Sequence, residues 1–244
     1  MSSSEIKFVK SLSQKKFRDE TGLFTVEGEK MVAEARASGF TVEKIYRRDE
    51  IGEKAMERMS ALSSPSPVLA VLRQRPVEDA PMPEKGLYLA LDSIRDPGNL
   101  GTILRIADWF GVDGVAASPD TVELYNPKVV QATMGAIFRV PFRTVSIYAF
   151  CRDARLAGGT VYGTFLDGED LYSKDLKTGE DGLSVIVIGN ESEGISAHVA
   201  SEVNERLLIP RFPASRTEGP ESLNAAVATA VTLAEFRRRS RGRS

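Results

Sequence analysis

From Gly86 onward, short continuous apolar runs alternate with stretches of helical periodicity, and no other feature narrows the possible folds as much. Leu87 to Leu91 (LYLAL) and Val185 to Ile188 (VIVI) lack polar alternation, the pattern of parallel strands buried on both faces. Val115 to Ala117, Thr160 to Thr164 and Leu207 to Ile209 are weaker strand candidates. Helical patterns lie between them at Leu100 to Phe110, Pro127 to Phe138 and Ile147 to Leu156. A last helix is expected from Leu223 to Arg238, with Leu223, Ala226, Val227, Ala230 and Ala234 on one face. The alternation predicts an α/β fold with an open parallel sheet, and ligands of such sheets sit beyond the carboxyl ends of the strands.

Upstream the texture differs. Gly28 to Phe40 reads as a helix closed by Gly39, Val42 to Tyr46 as a strand, and Ile51 to Leu62 as a second helix. RQRPVEDAPMPEKG, with Pro76, Pro81 and Pro83 in a polar run, is linker chemistry. A chain of 244 residues accommodates two domains. The expected division is a small α/β domain over 1–75, a linker over 76–85, and the parallel-sheet domain with a basic tail over 86–244.

The formal net charge of -2 argues against coating nucleic acid by bulk electrostatics, but a local basic surface remains open. Lys7, Lys10, Lys15, Lys16 and Arg18 concentrate positive charge near the start, and RRRSRGRS does so at the other end. That tail reads either as an RNA-phosphate contact or as a solvated solubilising segment. One cysteine, Cys151, and one histidine, His198, make no metal cluster, so no metal is expected. No apolar run resembles a signal peptide or a membrane span, and the cytoplasm is the expected compartment. Neither GxGxxG nor GxxxxGK[ST] occurs, which disfavours dinucleotide and P-loop chemistry.

Three loops at strand ends hold the informative residues. In LDSIRDPGNLGTILRIADWFG, Arg105 points away from the apolar arc of its helix, with Gly101 one turn earlier. That arrangement admits a phosphate or ribose. Geometry alone more readily suits a solvated arginine and an Asn99 helix cap, since exposed helix arginines are common. In VIVIGNESEGIS, Gly189 and Gly194 permit close backbone approach, and Glu191 can meet a polar ligand. A plain strand-to-helix turn would use the same glycines. In the third, Ile209-Pro210 ends a strand and Ser222-Leu223-Asn224 opens the last helix, with Ser222 as its expected N-cap. Capping by Ser222 leaves Asn224 and the small residues Ala225, Ala226 and Ala228 unexplained.

Taken together in this order, Asn99-x-Gly101-x-x-x-Arg105, Gly189-Asn190-Glu191-x-x-Gly194 and Ile209-Pro210 with Ser222-Leu223-Asn224 resemble the three motifs of the SpoU (TrmH-like) family within the SPOUT methyltransferase superfamily. The resemblance covers roughly Leu87 to Phe236. The N-terminal segment, with Lys15-Lys16-x-Arg18, Gly22, Phe24 and Glu27-Gly28-Glu29-Lys30, resembles the RNA substrate-binding domain of many members. The loop RFPASRTEGPE is longer than the family's usual short loop, so no role is transferred to Gly219.

The resemblance implies a C-terminal SPOUT domain with a trefoil knot, acting as a homodimer. The implied activity is transfer of a methyl group from S-adenosyl-L-methionine to an RNA ribose 2′-hydroxyl, with ribosomal RNA favoured over transfer RNA. A non-catalytic RNA-binding protein on the same fold is the rival. By position, Gly189, Ile209 and Leu223 are implied to bind the cofactor. Arg105, Asn99, Glu191, Ser222 and Asn224 are implied to be catalytic. An ordinary guanidinium, with a pKa of about 12.5–13.8, is a poor base near neutrality. Arg105 is therefore read as holding a phosphate and stabilising developing alkoxide charge, with the proton acceptor open. His198 reads as a surface histidine, Cys151 as a small packing residue, and Trp109 as bordering its helix core.

Overall fold

The computed structural model describes residues 1–75, 82–180, 182–213 and 221–240. Residues 76–81 of the expected linker, 214–220 of the long loop and 241–244 of the arginine tail lie outside them. The chain divides into two compact units. One comprises Met1–Pro76 and Glu123–Arg139, the other Val77–Val122 and Val140–Ser244.

The first unit begins with α1 (Ser3–Ser11), α2 (Lys15–Thr21), β1 (Leu23–Glu27), α3 (Glu29–Ala37), β2 (Val42–Arg47), α4 (Arg48–Ile51), α5 (Glu53–Met59) and β3 (Val68–Arg73). The second unit follows with β4 (Gly86–Leu91), α6 (Pro97–Trp109) and β5 (Gly114–Ala117), after which α7 (Pro127–Ala132) belongs to the first. The remainder is β6 (Phe142–Thr144), α8 (Ile147–Leu156), β7 (Thr160–Asp170), β8 (Leu183–Ile188), α9 (Ala197–Ala200), β9 (Glu205–Leu208) and α10 (Ala225–Ser240).

In the first unit β3 lies between β1 and β2 in an antiparallel sheet. Phe24, Phe40 and Phe138 form its aromatic core, with Val130, Ile137 and the Tyr125 ring, 4.6 Å from Phe24, packed against them. α3 stops earlier than expected, and Gly39 does not close it. The cap is extended Ser38, whose hydroxyl donates to the Ala35 carbonyl at 2.7 Å and accepts the Phe40 N–H at 3.2 Å. Arg18 is not a surface cation. It is 2% exposed, donates to the Leu12 carbonyl at 2.8 Å and pairs with Glu123. Lys10 is tied to the Ser60 carbonyl at 2.6 Å. Lys7, Lys15 and Lys16 remain exposed.

The second unit is built on six parallel strands in the order β6-β5-β4-β8-β7-β9. Every residue of β8 and most of β4 are buried, as their uninterrupted apolar runs require. β5 and β6 lie on one side of β4, while the strands that follow them in sequence lie on the other. The β4–β8 boundary is therefore the topological switch point, beyond whose strand ends ligands of such sheets bind. β7 is longer than its expected Thr160 to Thr164. A register shift between Thr164 and Glu169 lets Phe165 to Gly168 bulge before pairing with β9 resumes.

α10 buries a different face from the one its aliphatic pattern suggests. Ala225, Thr229, Thr232, Leu233 and Phe236 point inward with Ala226, whereas Val227 is 48% exposed and Ala234 faces solvent. Threonine fits inside because each hydroxyl is satisfied within the helix. Thr229 donates to the Ala225 carbonyl at 2.7 Å and Thr232 to the Ala228 carbonyl at 2.8 Å. Phe236 meets the Tyr162 ring edge-on at 5.0 Å. Beyond it Arg237 donates to the Phe110 carbonyl at 2.6 Å, while Arg238 and Arg239 are held by Glu235. The described part of the arginine tail is thus largely structural. Trp109, expected against the core, is 84% exposed on the last turn of α6.

Candidate active site

The site begins where β4 ends. Asp92 is 5% exposed, and its carboxylate accepts the Ser196 N–H at 2.7 Å, drawing the start of α9 toward the β4 end. Ser93 sits in the left-handed region with φ of 60° and donates its N–H to the Ser118 hydroxyl oxygen at 2.8 Å. Hydrogen bonds from Ser118 and Ser93 hold the Asp120 carboxyl below the usual carboxylate range. The ends of β4 and β5 are thereby locked together.

α6 starts three residues before its expected first residue because Asp96 caps it, accepting the Asn99 N–H at 2.8 Å, and Pro97 occupies the first turn. Asn99 is therefore not the cap, and its side chain is available to the crevice. Arg105 is exposed further along α6 and makes no hydrogen bond or ion pair among the described residues.

The second loop is a closed turn. Asn190 and Gly194 exchange backbone hydrogen bonds at 3.0 and 2.8 Å, with Gly194 at φ of 70°. Gly189 is required there, since a Cβ on it would lie 2.2 Å from the Gly194 carbonyl carbon. The Asn190 side chain accepts the Ser192 N–H at 2.9 Å and donates to the Ser93 carbonyl at 2.9 Å, fixing this loop to the first. Sequence reasoning assigned no role to Asn190, Asp92 or Ser93. The available signal was the tendency of an asparagine to accept from the backbone N–H two residues on, as Asn190 does from Ser192.

The third loop supplies α10. Its first helical residue is Ala225, and its cap is Asn224, not Ser222. Asn224 Oδ1 accepts the Ala226 N–H at 3.0 Å and the Val227 N–H at 3.3 Å. Ser222 is exposed two residues earlier, Leu223 is 45% exposed, and Ile209 is half-buried just past β9.

The three loops meet in one hydrogen-bonded line. Asn224 Nδ2 donates to Asn99 Oδ1 at 2.8 Å, and Asn99 Nδ2 donates to Glu191 Oε1. Residues 92 and 125 positions apart in sequence are joined by side chains alone. Of the expected site residues, Asn99, Glu191 and Asn224 are brought together, whereas Arg105 and Ser222 share no hydrogen bond or ion pair with them among the described residues.

Two family descriptions match the chain. The SpoU rRNA Methylase family covers residues 86–234, which holds all three loops. The chain belongs to the SpoU rRNA methylase family. An MRM3-like substrate binding domain matches residues 3–74. The fold and sequence are similar to those of a TrmH-family protein from Porphyromonas gingivalis, at TM-score 0.86 and 35% identity over 98% of this chain and 99% of that one. An AdoMet-bound rRNA methyltransferase from Sinorhizobium meliloti aligns at TM-score 0.84 and 33% identity, covering 97% and 95% of the two chains. The Bacillus subtilis 23S rRNA (guanosine(2553)-2'-O)-methyltransferase RlmP is 29% identical, with 96% of each chain covered. Like other SpoU methylases, the chain is an S-adenosylmethionine-dependent methyltransferase, and no described helix is long and apolar enough to cross a membrane.

Proposed function

We propose that this chain methylates a ribose 2′-hydroxyl of ribosomal RNA from S-adenosylmethionine, as a cytoplasmic homodimer whose methyltransferase domain carries a trefoil knot. The observation that carries this reading is the Asn224–Asn99–Glu191 line at the switch point of a parallel sheet. Ribosomal RNA is favoured over transfer RNA by the MRM3-like substrate binding match and by relatives that are named rRNA methyltransferases. The domain division proposed is 1–75 for substrate binding, 76–85 for the linker and 86–244 for transfer.

The residues at the crevice suit the cofactor. Leu223 and Ile209 offer apolar surface to an adenosine, Gly189 admits close backbone approach, and the Glu191 carboxylate favours a cation nearby. When bound, S-adenosylmethionine supplies a methyl group on a positively charged sulfur. The chain's own residues then have separate tasks. Arg105, exposed and without an ion-pair partner among the described residues, grips the RNA phosphate beside the target ribose and steadies charge growing on the attacking oxygen. Asn99 and Asn224 hold Glu191 in one orientation, and Ser222 lies at the entrance to α10 to steady the ribose. Rate arises chiefly from orientation and exclusion of water.

The dimer reading is supported by exposed apolar side chains on the neighbouring helices α6 and α10, Trp109 and Val227, and by exposed Leu223 just before α10. Ala226 is buried within its own chain and is not part of that surface. The test of the function is a pair of measurements on Arg105→Ala. Calorimetry with S-adenosylmethionine gives wild-type affinity, while methyl transfer to ribosomal RNA is lost. Parallel loss of cofactor affinity would remove Arg105 from the RNA side of the site.

A further inference from the structure

The line of side chains at the three loops has a direction, and that direction is fixed by backbone chemistry. The N-terminal N–H groups of α10 can only donate, so the Asn224 atom facing Ala226 and Val227 must be its oxygen. Its remaining group, Nδ2, can then only donate, and the Asn99 atom that receives it must be Oδ1. Asn99 is left with Nδ2 toward Glu191, whose Oε1 must accept. Two asparagines thus carry the donor polarity of a helix N-terminus to one carboxylate oxygen. No proton can reside on Oε1 without breaking the line, while Oε2 has no hydrogen-bond partner among the described residues.

We propose that Glu191 Oε2 is the proton acceptor for the attacking ribose hydroxyl, and that Asn99 and Asn224 are positioning residues that keep it an acceptor. This rests on the reading of the site as a ribose methyl-transfer centre. In the step, the 2′-oxygen forms the new O–C bond and the C–S bond breaks with its electron pair remaining on sulfur. The hydroxyl proton passes to Glu191 Oε2 and later to water. The sulfonium charge and the carboxylate charge disappear together. Arg105 keeps its proton throughout, consistent with the chemistry of a guanidinium.

Other charged groups on the surrounding elements are engaged elsewhere or lie in solvent. Asp92 is held by the Ser196 N–H, and Asp96 caps α6. Arg95 lies 3.8 Å from Glu193 and 3.9 Å from Asp120, and Arg105 is exposed along α6. α10 contributes no charged residue before Glu235.

Asn224→Asp separates positioning from simple structural support. Aspartate still caps α10, but it cannot donate to Asn99. The Asn99 amide then turns its nitrogen to the substituted carboxylate and its oxygen to Glu191, where a carboxylate oxygen is repelled and a protonated one is welcomed. The experiment uses full-length protein, labelled S-adenosylmethionine and ribosomal RNA from a strain lacking the gene, under single-turnover conditions across pH. Glu191→Gln is expected to slow transfer by about 100-fold or more at saturating S-adenosylmethionine. Asn224→Asp is expected to move the acid limb of the rate profile upward by about one pH unit, with recovery at alkaline pH. A second readout needs no turnover. In the cofactor-free protein the Asn99 side-chain amide NMR signal is expected to follow an acid titration in the wild type, to lose it in Glu191→Gln, and to show it at higher pH in Asn224→Asp. Unchanged transfer by Glu191→Gln, or a pH-independent loss in Asn224→Asp with the Asn99 signal unmoved, overturns the proposal. Absence of transfer by the wild-type protein would instead overturn the function it rests on.

Discussion

Asn224 meets Asn99 through Nδ2 to Oδ1 at 2.8 Å while its own Oδ1 caps the helix that follows. One side chain thus closes α10 and orients a residue of α6. Asn224→Ala is expected to cost about 1 kcal/mol of stability, the usual value of a lost N-cap. Asn99→Ala removes no cap, since Asp96 serves α6, and is expected to leave stability nearly unchanged. Both variants should slow methyl transfer at least about tenfold, because rate depends on holding reacting groups in register. Urea melts alongside single-turnover rates separate the two effects.

The first unit was expected to read RNA through Lys7, Lys10, Lys15, Lys16 and Arg18, and burial of Arg18 divides that set. Arg18→Gln is expected to destabilise the protein by about 2 kcal/mol, since it removes charged hydrogen bonds to Leu12 and Glu123. It should leave the salt dependence of RNA binding unchanged. Replacing exposed Lys7, Lys15 and Lys16 together with alanine should do the reverse, flattening the slope of log affinity against log salt by about 2 or more. Fluorescence titrations at several salt concentrations check this.

Burial pushes the Cys151 thiol up to about 12, with the Asp92 and Glu202 carboxylates adding to the shift. An unfolded thiol titrates near about 8.5. Between those values the folded protein retains a proton that the unfolded chain has lost, so this contribution to stability is complete below about 8.5 and declines as pH rises toward about 12. Native protein at about pH 8, still below the unfolded value, should therefore resist iodoacetamide and react only on unfolding. Mass spectrometry of the alkylated protein with and without urea provides the check.

Trp109, the chain's one tryptophan, is 84% exposed on the last turn of α6, and Val227 is 48% exposed on the first turn of α10. If these helices meet a second copy, Trp109 emission should shift to shorter wavelength as concentration rises through the association range. Val227→Glu should abolish that shift and yield a monomer by sedimentation, because a charge in an apolar interface has no partner. A monomeric wild type at micromolar concentration would contradict the dimer reading.

The parallel sheet was legible because strands buried on both faces tolerate almost no polar residue, so LYLAL and VIVI announce themselves. The edge strand β6 was not, since two of its residues are half-buried, Thr144 is exposed, and the three carry no such run. The face of α10 was misread because Thr229 and Thr232 satisfy their hydroxyls internally and so behave as core residues. At the candidate site, motif resemblance pointed to Asn99, Glu191 and Asn224, whose side chains are hydrogen-bonded in line, but periodicity cannot say which of Ser222 and Asn224 caps a helix. Nor can it reveal that Asn190 ties two loops together through the Ser93 carbonyl. Trp109 and Arg18 exchanged their expected environments for a related reason. A tryptophan is left outside on the last turn of α6, and an arginine is admitted inside where a carbonyl and a carboxylate await it.

The crevice formed by Asn99, Glu191 and Asn224 is proposed to deliver a methyl group to a ribose oxygen of ribosomal RNA. The most direct measurement incubates the full-length protein with radiolabelled S-adenosylmethionine and ribosomal RNA from a strain lacking the gene, digests the RNA to nucleosides, and locates the label by mass spectrometry. Label is expected on the ribose 2′-oxygen of one nucleotide and is lost in Glu191→Gln. Label on a base, or full ribose labelling by Glu191→Gln, would contradict that assignment.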